Sequence, residues 1–263
     1  MVRHWLLASM LALSTASAAV ATGEDPVAVA VVQQRQHHFK EAEQTLNSVL
    51  EMDPDDLGAN LRMGDLKVYC GDEKAAAAYI KRAAAAHPKD LEAQVMLVHA
   101  YLWLERLEEA EHQANKTIAA WEGKNPDKVL WARLLVALGA VQGLKVKKEG
   151  LVAALRYGMG IRGIFEQACA ADPEGALPLY ALGRYYLEAP AVAGGDSRKG
   201  LELVRKAIRR DPESHVARAF YIQYLLQIGK KDEAREELAA YQRQFGDVPR
   251  ALAAIKQASA KLP

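Results

Sequence analysis

The sequence predicts an all-α fold: a solenoid of about six helix–turn–helix units with a C-terminal cap helix. Three observations predict it. First, the 263 residues include 48 alanines and only four threonines. Alanine is the best helix former, and β-branched threonine fits strands better. Second, Pro54 and Pro88 lie 34 residues apart, with small and apolar residues at matching distances upstream: Ala42, Leu46 and Val49 before the first, Ala76, Ile80 and Ala83 before the second. Third, later prolines keep the same ruler with added length, since Pro88 to Pro173 spans 85 residues and Pro173 to Pro212 spans 39. A fixed period of this size marks stacked helical units.

The units follow in order. Residues 23–56 form the first, with Ala30 at position 8. Two antiparallel helices approach closely only where side chains are small, so positions 8 and 20 call for Gly or Ala. Residues 57–90 form the second, with Gly64 at position 8 and Gly71 in the turn. The third, 91–124, has Leu97, Tyr101, Ala110 and Ala114 at positions 7, 11, 20 and 24. The fourth, 125–175, is long by 17 residues. About eight extra residues per helix would lengthen this hairpin by roughly 12 Å. The fifth, 176–214, is long by five, which fall in the turn 189–196. Pro190 ends one helix there, and Asp196 or Ser197 caps the next. The sixth, 215–248, returns to 34 residues, with Tyr221, Leu225, Ala234, Leu238 and Tyr241 in place and a turn at 229–234. Pro249 and the Ala-rich stretch behind it read as the cap, 249–263, which hides the last apolar face. Residues 22–263 then form a single helical domain.

This spacing, with its prolines and turns, resembles the tetratricopeptide repeat (TPR) over about residues 23–248. The resemblance implies a non-enzymatic scaffold that binds a protein or peptide on the concave surface lined by the first helix of each unit. The middle of the chain has a second likeness. Its long Gly-rich helix, the run Leu182-Gly183-Arg184-Tyr185-Tyr186 and the Pro190 to Asp196 turn resemble the T-component of tripartite ATP-independent periplasmic transporters over about 125–214. That implies the alternative: an accessory, ligand-handling component of a periplasmic solute transport system, compatible with a homo-oligomer. Gly139, Gly143, Gly158, Gly160 and Gly163 lie on its two helices. An interior glycine costs a helix about 1 kcal/mol, so a packing role is expected, with glycines of facing helices in close contact. Room for a ligand or a partner chain is the other reading.

The first residues read as an export signal. Arg3 and His4 precede an apolar run from Leu6 to Leu13, and two A-x-A sites place cleavage after Ala18 or Ala21. Residues 1–21 are therefore an expected signal peptide, and the protein is expected in the periplasm or secreted. No later stretch reaches 18 apolar residues, so no membrane span is expected after cleavage. The net charge of +1 gives no footprint for nucleic acid. Cys70 and Cys169 read as small buried side chains without a metal motif.

Chemistry-bearing motifs point to no catalytic residue, no metal and no cofactor. His37 and His38 are adjacent and diverge by about 100° on a helix. The pairs Glu108-Glu109 and Glu236-Glu237 read as solvated faces, and Lys145 as a charged flank of the glycine segment. Trp103, Trp121 and Trp131 read mainly as core. For binding, groove-facing positions of the first helices supply Asp65 and Tyr69, His99 and Trp103, Arg184 and Gln223, with Arg62 close by. Trp and Arg most often dominate binding energy.

Overall fold

The computed structural model describes residues 25–262; the expected signal peptide lies outside them. The described residues hold thirteen α-helices. In chain order these are α1 (Pro26–Arg35), α2 (Phe39–Met52), α3 (Leu57–Tyr69), α4 (Glu73–Ala86), α5 (Leu91–Trp103), α6 (Leu107–Trp121), α7 (Lys128–Glu149), α8 (Leu151–Ala171), α9 (Ala176–Glu188), α10 (Ser197–Arg210), α11 (His215–Gln227), α12 (Lys231–Phe245) and α13 (Pro249–Ser259). A 3₁₀ turn, Ala191–Ala193, sits between α9 and α10. The all-α, repeat-built class is the one the sequence predicts.

Aspartate starts many of these helices. Asp56, Asp72, Asp90, Asp127 and Asp196 each accept a hydrogen bond from the backbone N–H three residues on, at 2.7–3.0 Å. Each satisfies a donor that the first helical turn leaves unpaired. The turns within hairpins repeat too. Position 15 of the four 34-residue units holds His37, Gly71, Glu105 and Gly229, all left-handed, with φ of 61°, 78°, 55° and 77°. Glycine takes that conformation freely, whereas other L-residues lose roughly 1–2 kcal/mol. Replacing Glu105 with glycine is therefore expected to raise stability by about 0.5–1 kcal/mol in urea unfolding. A loss of stability would show that the Glu105 side chain outweighs its backbone strain.

Contacts gather the residues into two units. One runs to Leu104 and takes in Asp247–Arg250, and the other comprises Glu105–Gly246 with the residues from Ala251 onward. In the first, Ala30 and Ala42 meet between α1 and α2, and Leu46, Met63 and Leu66 fill the space around them. Ile80, Ala83, Ala93 and Met96 join α4 to α5. Gly64 is needed at the α3–α4 crossing, since a Cβ there would lie 2.5 Å from Ile80 Cδ1.

In the second unit α7 and α8 form the long hairpin, of 22 and 21 residues. Its core holds Tyr157, Ile161 and Phe165 of α8 against Leu182 and Tyr186 of α9. By length and composition alone α7 could cross a membrane, and half of that stretch is buried within the protein. The α9–α10 crossing is the closest to backbone contact. A Cβ on Gly183 would lie 3.0 Å from the Gly200 carbonyl oxygen, and one on Gly200 would lie 2.9 Å from the Gly183 oxygen. At the α11–α12 crossing, position 8 is not small: Ile222 is buried there, and Ala234 on the facing helix gives the room.

The expected glycine-on-glycine packing of the long hairpin does not occur. Gly139 alone is crowded, with a Cβ site 2.5 Å from the Phe165 ring. Gly143, Gly158, Gly160 and Gly163 have open space where a Cβ would stand. Glycine accepts an aromatic ring at one place and simply leaves the helix surface bare at the others. Cys70 and Cys169 are free thiols, half-buried rather than fully buried. Burial, with the Glu166 and Asp172 carboxylates adding to it, pushes the Cys169 thiol up to about 11, which keeps it an unreactive thiol at neutral pH.

Candidate functional site

The residues expected in a groove divide between the two units. In the first, Arg62 lies on α3 and spends its guanidinium locally: it pairs with Asp65 at 3.2 Å and with Glu92 of α5 at 3.5 Å. Tyr69 packs on Phe39 with ring centroids 6.4 Å apart. His99 lies one helical turn from Trp103 on α5, their rings 6.3 Å apart. Trp103 packs against the α4–α5 core as well. This surface is half-buried and joined side chain to side chain.

In the second unit Arg184 and Gln223 occupy adjacent first helices, α9 and α11. Arg184 pairs with Glu188 at 3.1 Å and lies over the Phe220 ring at 5.3 Å. Tyr180, one turn before Arg184, meets Phe220 edge-on at 5.7 Å, and Phe220 stacks on Tyr224 at 6.4 Å. Burial pushes the Tyr180 phenol up against the opposing pull of the Arg184 charge, so it stays a neutral hydrogen-bonding group. Gln223 donates to Gln257 at 3.2 Å. These two glutamines are 34 residues apart, so α13 continues the first-helix register. The same face carries apolar side chains open to water: Leu177 is 37% exposed and Val216 46%. Arg133 of α7, at the position equivalent to Arg184, is half-buried.

Sequence reasoning missed Tyr180 and Phe220. The signal was available, because Tyr180 falls at position 5 of its unit, one of the groove-facing positions. Phe220 falls at position 6, beside that set, as Arg62 does in its own unit.

A second polar arrangement holds the inserted turn. Tyr185 donates its hydroxyl to the Ala193 carbonyl at 2.6 Å. Lys199 Nζ donates to the Tyr186 hydroxyl at 2.7 Å, and that hydroxyl donates to Glu166 at 3.3 Å. Asp196 caps α10 as expected. The turn is tied to α9, and the Lys199–Tyr186–Glu166 chain links α10, α9 and α8 behind it, while the tip residue Val192 is 96% exposed.

Lys145 has a role the sequence reading did not assign. Expected only as a charged flank of the glycine segment, it is buried: its side chain is 3% exposed, and its ammonium donates to Glu108 at 2.7 Å and Glu111 at 2.6 Å. Tyr157 donates to the same Glu111 at 3.1 Å. Glu108 is thereby part of an ion-pair network, not only a solvated face. Among the described residues no group of three His, Cys, Asp or Glu side chains is placed to hold a metal ion.

The comparisons agree on the fold. The family model described as tetratricopeptide repeat matches residues 191–259. No curated protein matches the chain. A thermophilic TPR protein of Thermus thermophilus is similar in structure, with a TM-score of 0.63 at 20% identity over 79% of this chain and 99% of that one. PilW, a widely conserved type IV pilus biogenesis factor, gives 0.54 at 16% identity over 88% and 96%. PilF of Pseudomonas aeruginosa gives 0.51 at 15% identity over 90% and 96%. At these identities the likeness concerns the fold, which is that of TPR proteins, a fold suited to protein–protein interaction.

Proposed function

We propose that the protein is a non-enzymatic scaffold, acting in the periplasm or outside the cytoplasm, that receives a segment of a partner protein on the face formed by α9 and α11. One observation carries this reading: Tyr180, Arg184 and Phe220 converge on a half-exposed surface beside Leu177 and Val216. An aromatic floor, an arginine and open aliphatic side chains suit a partner segment that alternates apolar and acidic residues. Aromatic and arginine side chains give binding energy out of proportion to their number. The half-exposed Glu188 carboxylate already pairs directly with Arg184 at 3.1 Å, and a partner carboxylate would compete for the same guanidinium. The export signal expected over residues 1–21 supports the compartment.

The test is capture of partners from an extract of the native host, followed by crosslinking to locate the contact. The double change Arg184→Ala with Phe220→Ala is expected to weaken capture at least roughly tenfold while helicity and melting temperature hold. Trp103→Ala serves as the contrast in the first unit. If Trp103→Ala abolishes capture and the double change does not, the binding face belongs to the first unit. If trimming the turn 189–196 abolishes it instead, the inserted turn carries the function, as the transport-accessory alternative expects.

A further inference from the structure

The end of the long hairpin presents apolar side chains that nothing in the fold covers. α7 finishes at Glu149, and Gly150 turns the chain with φ of 70° into α8. On the first turns of α8, Leu151, Val152 and Leu155 are 75%, 75% and 78% exposed. On the neighbouring turn of α7, Leu144 is 41% exposed. Other exposed apolar residues of the second unit occur singly, whereas here three lie within five positions. The inner face of the same helix is ordinary core, with Ala153 and Tyr157 buried. The outer leucines are therefore not a by-product of loose packing.

Charge gives the apolar tip its partner. Within residues 147–156, Lys147, Lys148 and Arg156 are exposed against one acid, Glu149, while further along the hairpin Lys145 is paired with Glu108 and Glu111. Arg156 follows Leu155 on the exposed side of α8 and lies over the Tyr157 ring at 5.1 Å. No side chain caps the start of α8, which leaves the positive end of that helix at the tip as well. The whole chain is nearly neutral, so this local excess is invisible in the net charge. Four apolar side chains are far short of the roughly 20–30 residues a side that a stable protein interface uses, which argues against a second copy. A few inserted leucines ringed by cations do suffice for a reversible hold on an acidic bilayer, where each cation adds to the attraction.

We propose that the α7–α8 tip, through Leu151, Val152 and Leu155 ringed by Lys147, Lys148 and Arg156, docks on an anionic lipid surface. The site is separate from the α9–α11 face, and neither reading depends on the other.

Hydrogen exchange read by mass spectrometry on the full chain tests it. Vesicles of phosphatidylcholine alone are compared with vesicles of phosphatidylcholine and phosphatidylglycerol in equal parts. The anionic vesicles are expected to protect residues 147–156, and the neutral ones are not. Leu151→Ser with Leu155→Ser, and separately Lys147→Glu with Lys148→Glu, are each expected to remove that protection and to weaken tip binding at least roughly tenfold. Both pairs change exposed side chains, and melting temperature is checked for each. Protection confined to residues outside 147–156, equal protection by neutral vesicles, or full protection in either variant would overturn the proposal. So would protection of 147–156 that rises with protein concentration in the absence of lipid, which would assign the tip to self-association.

Discussion

Replacing Lys145 with alanine is expected to destabilise the second unit by about 3–5 kcal/mol, the usual consequence of removing one partner from a buried ion pair. The argument runs through what is left behind. Lys145 is the cation that two carboxylates of α6 share, and Glu111 is only 14% exposed. Without the ammonium, Glu111 keeps its Tyr157 hydrogen bond but loses its charge partner. Glu108, 77% exposed, simply returns to water. Burial alone would lower the lysine pKa, but the hydrogen bonds that Lys145 donates to Glu108 and Glu111 outweigh it and hold the ammonium above its ordinary value. A raised lysine pKa means the stabilisation is complete below the ordinary lysine range and is lost only as pH rises through the higher folded value. The loss should therefore be the same at pH 6 and pH 8 as far as Lys145 is concerned. Urea unfolding followed by circular dichroism measures it. Lys145→Met combined with Glu111→Gln should recover most of the loss, because no uncompensated charge remains. A single variant that unfolds with wild type, to within about 0.5 kcal/mol, would mean the pair is solvated and the clamp carries no stability.

Lys145 also shows where reading the sequence stops. Glu108 and Glu111 precede it by 37 and 34 residues, so the cluster follows from how successive units stack and not from any local pattern. Gly71 and Gly229 were legible as turns because glycine announces a left-handed backbone. His37 and Glu105 take the same conformation at the same register position with no such announcement. The repeat forced the geometry, and the residue type only set its cost. The crossings tell the same story. Ala30, Gly64 and Gly183 are small where the period says they should be, while Val98 and Ile222 fill that position elsewhere and are buried all the same. A crossing needs small volume summed over both helices, and one alanine on the facing helix can provide it.

The site was legible to the level of a face. Position counting found Arg184 and Gln223, and it put Arg62 beside the counted set, but only a structure shows what each guanidinium is already doing. Arg62 is engaged by Asp65 and Glu92 on its own surface. Arg184 pairs with Glu188 of its own helix and also sits over an aromatic ring. The apolar tip of the long hairpin escaped the sequence reading for another reason. Leu151, Val152 and Leu155 have ordinary helical spacing, and a stripe of that kind is usually core. Its exposure follows only from the hairpin's extra length.

Gly183→Leu should be the most damaging crossing variant, at about 3 kcal/mol, near the top of the range for overpacked cores. What obstructs the new side chain decides the size. At Gly183 a Cβ meets the Gly200 carbonyl oxygen and Leu203 Cβ, both at 3.0 Å, and Val204 Cγ2 at 2.9 Å. Two of those three atoms are fixed to backbone, so α9 and α10 must separate. At Gly64 the obstacles under 3 Å are the outer atoms of Ile80, which can rotate away. Gly64→Leu should therefore fall lower, at about 1–3 kcal/mol. Helix propensity pulls the other way by about 1 kcal/mol for any interior glycine replaced by alanine. Gly160 isolates that effect, since it lies inside α8 with nothing within 4 Å of its Cβ site. Gly160→Ala is expected to stabilise by about 1 kcal/mol, while Gly183→Ala is expected to destabilise despite the same gain in propensity. Urea unfolding of the three alanine variants at Gly64, Gly160 and Gly183 gives the ordering directly. If Gly183→Ala and Gly160→Ala shift stability in the same direction, the α9–α10 backbones are not in contact and the close crossing is refuted.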